Sequence, residues 1–164
     1  MLDLANYLRN PKNKSYRTLA YIDPCGMQVE WRSIECLRGL PMDMWVLVPT
    51  GLGVNRLLKN NGQISDAWLE RLEKFLGLDR DTIEKHFYKK QEDLFGEVMV
   101  IKVEDAINKS AKLYYNRLKS VFEYVSNAYE LRNSANSVMY HLFLTSNNKT
   151  AIKIANDIVK KYNG

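Results

Sequence analysis

The sequence predicts an α/β fold: two parallel strands and a C-terminal antiparallel strand pair in one sheet, flanked by helices. Three observations predict it. The runs RTLAYID (17–23) and DMWVLVP (43–49) are short, apolar and stopped by proline, the composition of strands buried on both faces. Between them Trp31, Ile34 and Leu37 recur at helical spacing, with Gly39 and Pro41 closing the segment. Near the end of the chain, EYVSNAYEL and SVMYHLFLTS read as strands joined by RNSANS, whose Asn and Ser residues favour a turn and hence antiparallel pairing.

The first of these, strand–helix–strand, is the unit that joins parallel strands by a right-handed crossover, so both strands end at the same edge of the sheet. After the second strand, GLGVNRLLKN reads as a loop entering a short helix. SDAWLERLEKFLG reads as a helix with Leu69, Leu72 and Leu76 inward and Gly77 as its stop. Another helix is expected over DTIEKHFYKK, where Asp81 and Glu84 have capping-box spacing. From Val103 to about Phe122 the stripe Val103, Ile107, Tyr114, Leu118 and Val121 predicts a long amphipathic helix. The closing NKTAIKIANDIVKKYNG predicts a helix that buries Ala151, Ala155, Ile158 and Tyr162.

Composition bounds the rest. At 164 residues and 46% hydrophobic, one domain spanning 1–164 is expected, with no internal repeat. No window approaches the roughly 18 apolar residues of a membrane span, so a soluble protein is expected. Cys25 and Cys36 form no CxxC pair and the only histidines are His86 and His141, so neither a metal site nor a disulfide framework is indicated and the thiols read as reduced, in a cytoplasmic compartment. The net charge of +5, from 24 basic and 19 acidic residues, allows a polyanion such as nucleic acid as partner. Lys149, Lys153, Lys160 and Lys161 on the last helix, with Lys112, Arg117 and Lys119 on the long one, would form a phosphate-contacting patch only if they converge; singly they read as solvated faces.

The candidate site follows from topology. In an open parallel sheet ligands bind outside the carboxyl ends of the strands, where this chain has DPCG and PTGLG. Asp23 offers a carboxylate acceptor, Pro24 fixes the backbone direction and Gly26 permits a sharp turn, although Asp-Pro-x-Gly is also ordinary turn chemistry. GLGVNR is not a dinucleotide loop, because Arg56 takes the third glycine position. Thr50, Asn55 and Arg56 are placed to frame a pocket from the second strand end. Cys25 lies beside it but has no histidine nearby in the chain to activate it, and reads as a spectator thiol. His86 and His141 read as structural, and Trp31, Trp45 and Trp68 as packing residues.

YIDPCGMQVEWRSIECL, DMWVLVPTGLGVNRLL and NSVMYHLFLTSNNKTAIKIANDIVKKY, in that order and spacing, together resemble the three-Cys-motif partner proteins, a methyltransferase-like family. The resemblance covers most of the chain. It implies part of a Rossmann-like, class I methyltransferase sheet in which Asp23-Pro24 follows the fourth strand and the antiparallel pair forms the sixth and seventh. It further implies S-adenosylmethionine as cofactor, with Asp23 and Pro24 as catalytic candidates and Cys25, Gly26, Thr50, Asn55 and Arg56 as substrate-pocket candidates. Nothing before YIDPCG can supply the family's glycine-rich donor loop or its ribose-binding acidic residue, so the chain corresponds to the C-terminal, substrate half of the domain. A first strand without its neighbours is expected to leave an open edge, which predicts a homo-oligomer or a complementing N-terminal half. Two functions follow: a substrate-side methyltransferase module, with nucleic acid one acceptor left open, or a catalytically inactive module that docks a partner protein (a three-Cys-motif protein among them) or nucleic acid.

Overall fold

In the computed structural model, which describes residues 1–13, 15–23, 27–60, 62–92 and 95–162, the two apolar runs are neighbours in one sheet and point the same way. In chain order the elements are α1 (Leu2–Arg9), β1 (Thr18–Ile22), α2 (Trp31–Glu35), β2 (Met42–Val48), a π-helical turn (Thr50–Val54), α3 (Asn55–Leu57), α4 (Asp66–Leu76), α5 (Arg80–Phe87), β3 (Tyr88–Glu92), β4 (Val98–Lys102), α6 (Ala106–Lys119), β5 (Tyr124–Val125), β6 (Tyr129–Arg132), β7 (Val138–Ser146) and α7 (Lys149–Tyr162). The main sheet runs β1-β2-β7-β5, with β6 continuing the β5 line along β7. β1 and β2 pair in parallel, Thr18 opposite Met42 and Ile22 opposite Val46. β7 returns antiparallel to β2, with His141 opposite Val48 and Phe143 opposite Val46. The fold is therefore mixed α/β, its sheet combining parallel and antiparallel strands.

The pleat divides the apolar side chains between two layers. On one face Met42, Met44, Val46, Val48 and Phe143 pack under α2, α4, α5 and α6 in a single core. Tyr114 of α6 sits at its centre, edge-on to Trp31 at 5.7 Å and stacked on Phe75 at 5.0 Å. On the other face Leu144, Trp45 and Tyr124 meet Ile152, Ala155 and Ala151 of α7. Because Phe143 and Leu144 are successive strand residues, α6 and α7 lie on opposite faces. α7 packs over β7 and β5, but among the described residues nothing covers the same face at β1, where Leu19 is 75% exposed and Tyr21 61%, so β1 is buried on one face rather than on both as its composition predicts.

Several expectations need correction. The N-cap of α5 is Asp79, whose side chain accepts the Thr82 N–H at 2.8 Å, so the helix begins before the Asp81 pair. It ends at Phe87, and the following Tyr88–Lys102 segment is a hairpin, β3 paired antiparallel with β4. That hairpin carries little pattern: KKQE is polar and exposed, as are Val98, Met99 and Val100, and only Tyr88 reaches the core. α6 starts at Ala106, and Val103 instead ties its N–H to Phe87 O at 2.8 Å. In α7 the buried residues are Ile152, Ala155 and Val159, while Ile158 and Tyr162 are exposed. The strand expected over EYVSNAYEL is interrupted where the Ser126 hydroxyl accepts the Leu144 N–H at 2.9 Å.

Candidate functional site

The parallel register puts the loops after Ile22 and Val48 side by side at the carboxyl edge of the sheet. Asp23 follows β1 directly and is exposed; Pro24, Cys25 and Gly26 lie outside the described residues. The first loop then folds back onto the second. Met27, in the left-handed region at φ 64° and almost fully buried, lies so close to Gly53 that a Cβ there would stand 3.1 Å from its sulfur. Glycine is what allows that approach. The two loops therefore converge, and among the described residues the thioether of Met27 fills the ground between them.

Beyond β2 the chain tightens into the π-helical turn, where the Gly53 and Val54 N–H groups both donate to Pro49 O, at 2.8 and 3.0 Å. Asn55 is half-buried and Arg56 exposed at the start of α3. The Lys102 ammonium closes this short helix, donating to Asn55 O at 3.2 Å and Leu58 O at 3.1 Å, and its burial lowers its pKa.

Thr50 does not face solvent. It is fully buried, and its hydroxyl lies 2.8 Å from His141 Nδ1. His141 is opposite Val48 on β2 and opposite Glu130 on β6, so Val48, His141 and Glu130 form a row across the sheet, level with the end of β2. The Nε2 atom stands 3.8 Å from Glu130 Oε1, and Glu130 is also ion-paired with Arg132. Burial lowers the His141 pKa; Glu130 and Asp105 pull it up, and Arg132 pushes it down. With its neutral form favoured, the ring can hold a hydrogen bond with Thr50 without leaving a charge in the core. A cavity of about 410 Å³ opens beside it between α6 and the outer strands, lined by Asn108, Lys112, Tyr115, Asn127, Glu130 and His141. A Thr–His–Glu series resembles a hydrolytic triad only in composition, because a nucleophile must reach substrate, and Thr50 is sealed in. By sequence His141 reads as structural, and nothing local singles out Glu130. The one local signal is that His141 shares a strand face with Phe143, which marks it as core-facing.

The basic residues do not converge. Lys149, Lys153, Lys160 and Lys161 stand on α7, whereas Lys112, Arg117 and Lys119 stand on α6 across the sheet. Arg117 is occupied structurally: it lies over the Trp31 ring at 4.4 Å and donates to Leu76 O and Gly77 O. Trp31 is in the core, Trp45 is half-buried, and Trp68 lies at the surface under Lys59. Cys36 is a free thiol that donates to Ser33 O at 3.1 Å.

Among the described residues no helix is long and apolar enough to cross a membrane. No family model, curated protein or solved structure matches the chain.

Proposed function

We propose that this chain is the substrate side of a methyltransferase-like domain, similar to the three-Cys-motif partner proteins, and that in this form it docks a partner rather than transferring a methyl group. The observation that carries the reading is the double position of β1. It ends in Asp23 of the Asp-Pro motif, and it is also the edge strand of the sheet, with Leu19 and Tyr21 exposed beside it. In an enzyme of the kind this chain resembles, the donor-binding strands would continue the sheet on that side.

Attack on a sulfonium methyl needs mainly alignment and exclusion of water. Asp23 is exposed, Thr50 is engaged with His141, and Met27 occupies the meeting point of the loops. Asp23 would orient an acceptor, with Asn55 and Arg56 at the rim, only once a further wall closed the site. The split of basic residues between two sheet faces favours a protein partner over nucleic acid. The test is a calorimetric titration of the chain with S-adenosylmethionine. A flat trace is expected; saturable heat would overturn the docking reading and restore that of a donor-dependent enzyme.

A further inference from the structure

The docking reading leaves open what occupies the edge of β1, and the strand's own residues answer it. The Thr18 N–H donates to Pro41 O, and the strand stays in register with β2 through Ile22. The backbone groups of Thr18, Ala20 and Ile22 therefore point at β2, and those of Leu19 and Tyr21 point out of the sheet. An edge of this kind is normally defended by lysine, proline, a bulge or a covering segment. Thr18–Ile22 contains no lysine or proline and pairs without a bulge, and its two outward residues are the 75% and 61% exposed Leu19 and Tyr21.

We infer that β1 pairs antiparallel with β1 of a second copy of this chain, about a two-fold axis at Ala20, joining the two sheets into one; the inference rests on the docking reading above. The occupant is identified by self-complementarity. Set against itself in reverse, Arg17-Thr18-Leu19-Ala20-Tyr21-Ile22-Asp23 places Arg17 opposite the partner's Asp23 and Leu19 opposite the partner's Tyr21, each pair twice by symmetry. Arg17 and Asp23 are both exposed and flank the strand, one at each end. The same alignment makes Leu19 and the partner's Tyr21 a hydrogen-bonded pair, because both present their backbone groups to the open edge. Their side chains fall on one face, next to Trp45, so the bare part of that face becomes a four-residue apolar cluster. Centring the axis on Leu19 would set Arg17 against the partner's Tyr21 and leave Asp23 unmatched. Centring it on Tyr21 would set Asp23 against the partner's Leu19. Only the Ala20 axis matches charge, apolar side chains and backbone donors together.

The register predicts its own cross-link. Ala20 opposite the partner's Ala20 is a non-hydrogen-bonded pair, with Cα atoms about 4.5 Å apart, inside the roughly 4.4–6.8 Å range that a disulfide spans. Oxidation of Ala20→Cys, in a Cys25→Ser, Cys36→Ser background, is expected to give a covalent dimer. Leu19→Cys is expected to give none, since its two copies stand diagonally apart. By sedimentation equilibrium the parent chain is expected to dimerise reversibly. Arg17→Asp and Asp23→Arg should each weaken the dimer by about tenfold, through two like-charge pairs, and the double reversal should restore it. These two are exposed positions, so the charge series does not depend on whether the cysteine variants fold. A chain that stays monomeric, a double reversal that fails to restore dimerisation, or cross-linking at Leu19→Cys without Ala20→Cys would overturn the inference. A monomer with a flat donor titration sinks self-pairing alone; saturable donor heat from a chain that still dimerises sinks the docking reading alone.

Discussion

Replacing His141 by asparagine tests the buried row at the end of β2 directly. An asparagine amide can keep a polar atom near the position of Nδ1, facing the Thr50 hydroxyl now 2.8 Å away, while removing the group that titrates. In the native chain His141 is 2% exposed and its pKa is held below the ordinary 6.5 by burial, with Glu130 and Asp105 opposing the shift and Arg132 assisting it. Once the pH falls below 6.5 the unfolded chain takes up a proton that the folded chain refuses. The contribution to stability is thus fully present above that value and is lost as the pH falls towards the folded pKa. For one proton the steepest loss is about 1.4 kcal/mol per pH unit. Urea unfolding at a series of pH values from neutral downwards reads this out, provided the urea dependence is unchanged between the two proteins. The native chain should lose stability more steeply than His141→Asn below pH 6.5, with the difference in slope bounded by that figure. Two parallel profiles would refute a buried, neutral His141.

Three further outcomes follow from packing and hydrogen bonding. A methyl group at Gly51 would press into the Val138 carbonyl, with its carbon at 3.0 Å and Met139 Cα at 3.2 Å; because backbone cannot rotate away, Gly51→Ala should cost more than about 4 kcal/mol in urea unfolding. Gly53→Ala should cost clearly less, because its contacts at 3.1 Å are the side chains of Met27 and Pro49, which can shift. Arg117→Met keeps the apolar stem but removes the donors to Leu76 O and Gly77 O and the charge over Trp31, and should lower stability by about 2 kcal/mol in the same assay.

Much of the architecture was legible because its signals are local. β1 and β2 are continuous apolar runs stopped by proline, and α4 ends at Gly77, in the left-handed region at φ 64°. Parallel pairing then brings Asp23 and Thr50 to one edge of the sheet. The β3–β4 hairpin was not legible, because its strands bury almost nothing and so leave no period-2 pattern. The cap of α5 is not fixed by the local sequence, because Asp79 and Asp81 are both acceptors near a helix start, and only the backbone path decides which one reaches the Thr82 N–H.

α7 shows the division most plainly. Its sequence predicts an apolar arc that buries Ala151, Ala155, Ile158 and Tyr162. Periodicity defines such an arc, but docking on Leu144 chose Ile152, Ala155 and Val159 while leaving Ile158 and Tyr162 in solvent. The Thr50–His141 pair, 91 residues apart in the chain, is beyond any local pattern. By itself the sequence determined most strands of the main sheet, the longer helices and that two of the strands end together, since these depend on neighbours along the chain. The tertiary structure alone decided which faces are covered, which hydroxyl meets which imidazole and how β3 pairs with β4, since burial and hydrogen bonding depend on groups that only folding brings into contact.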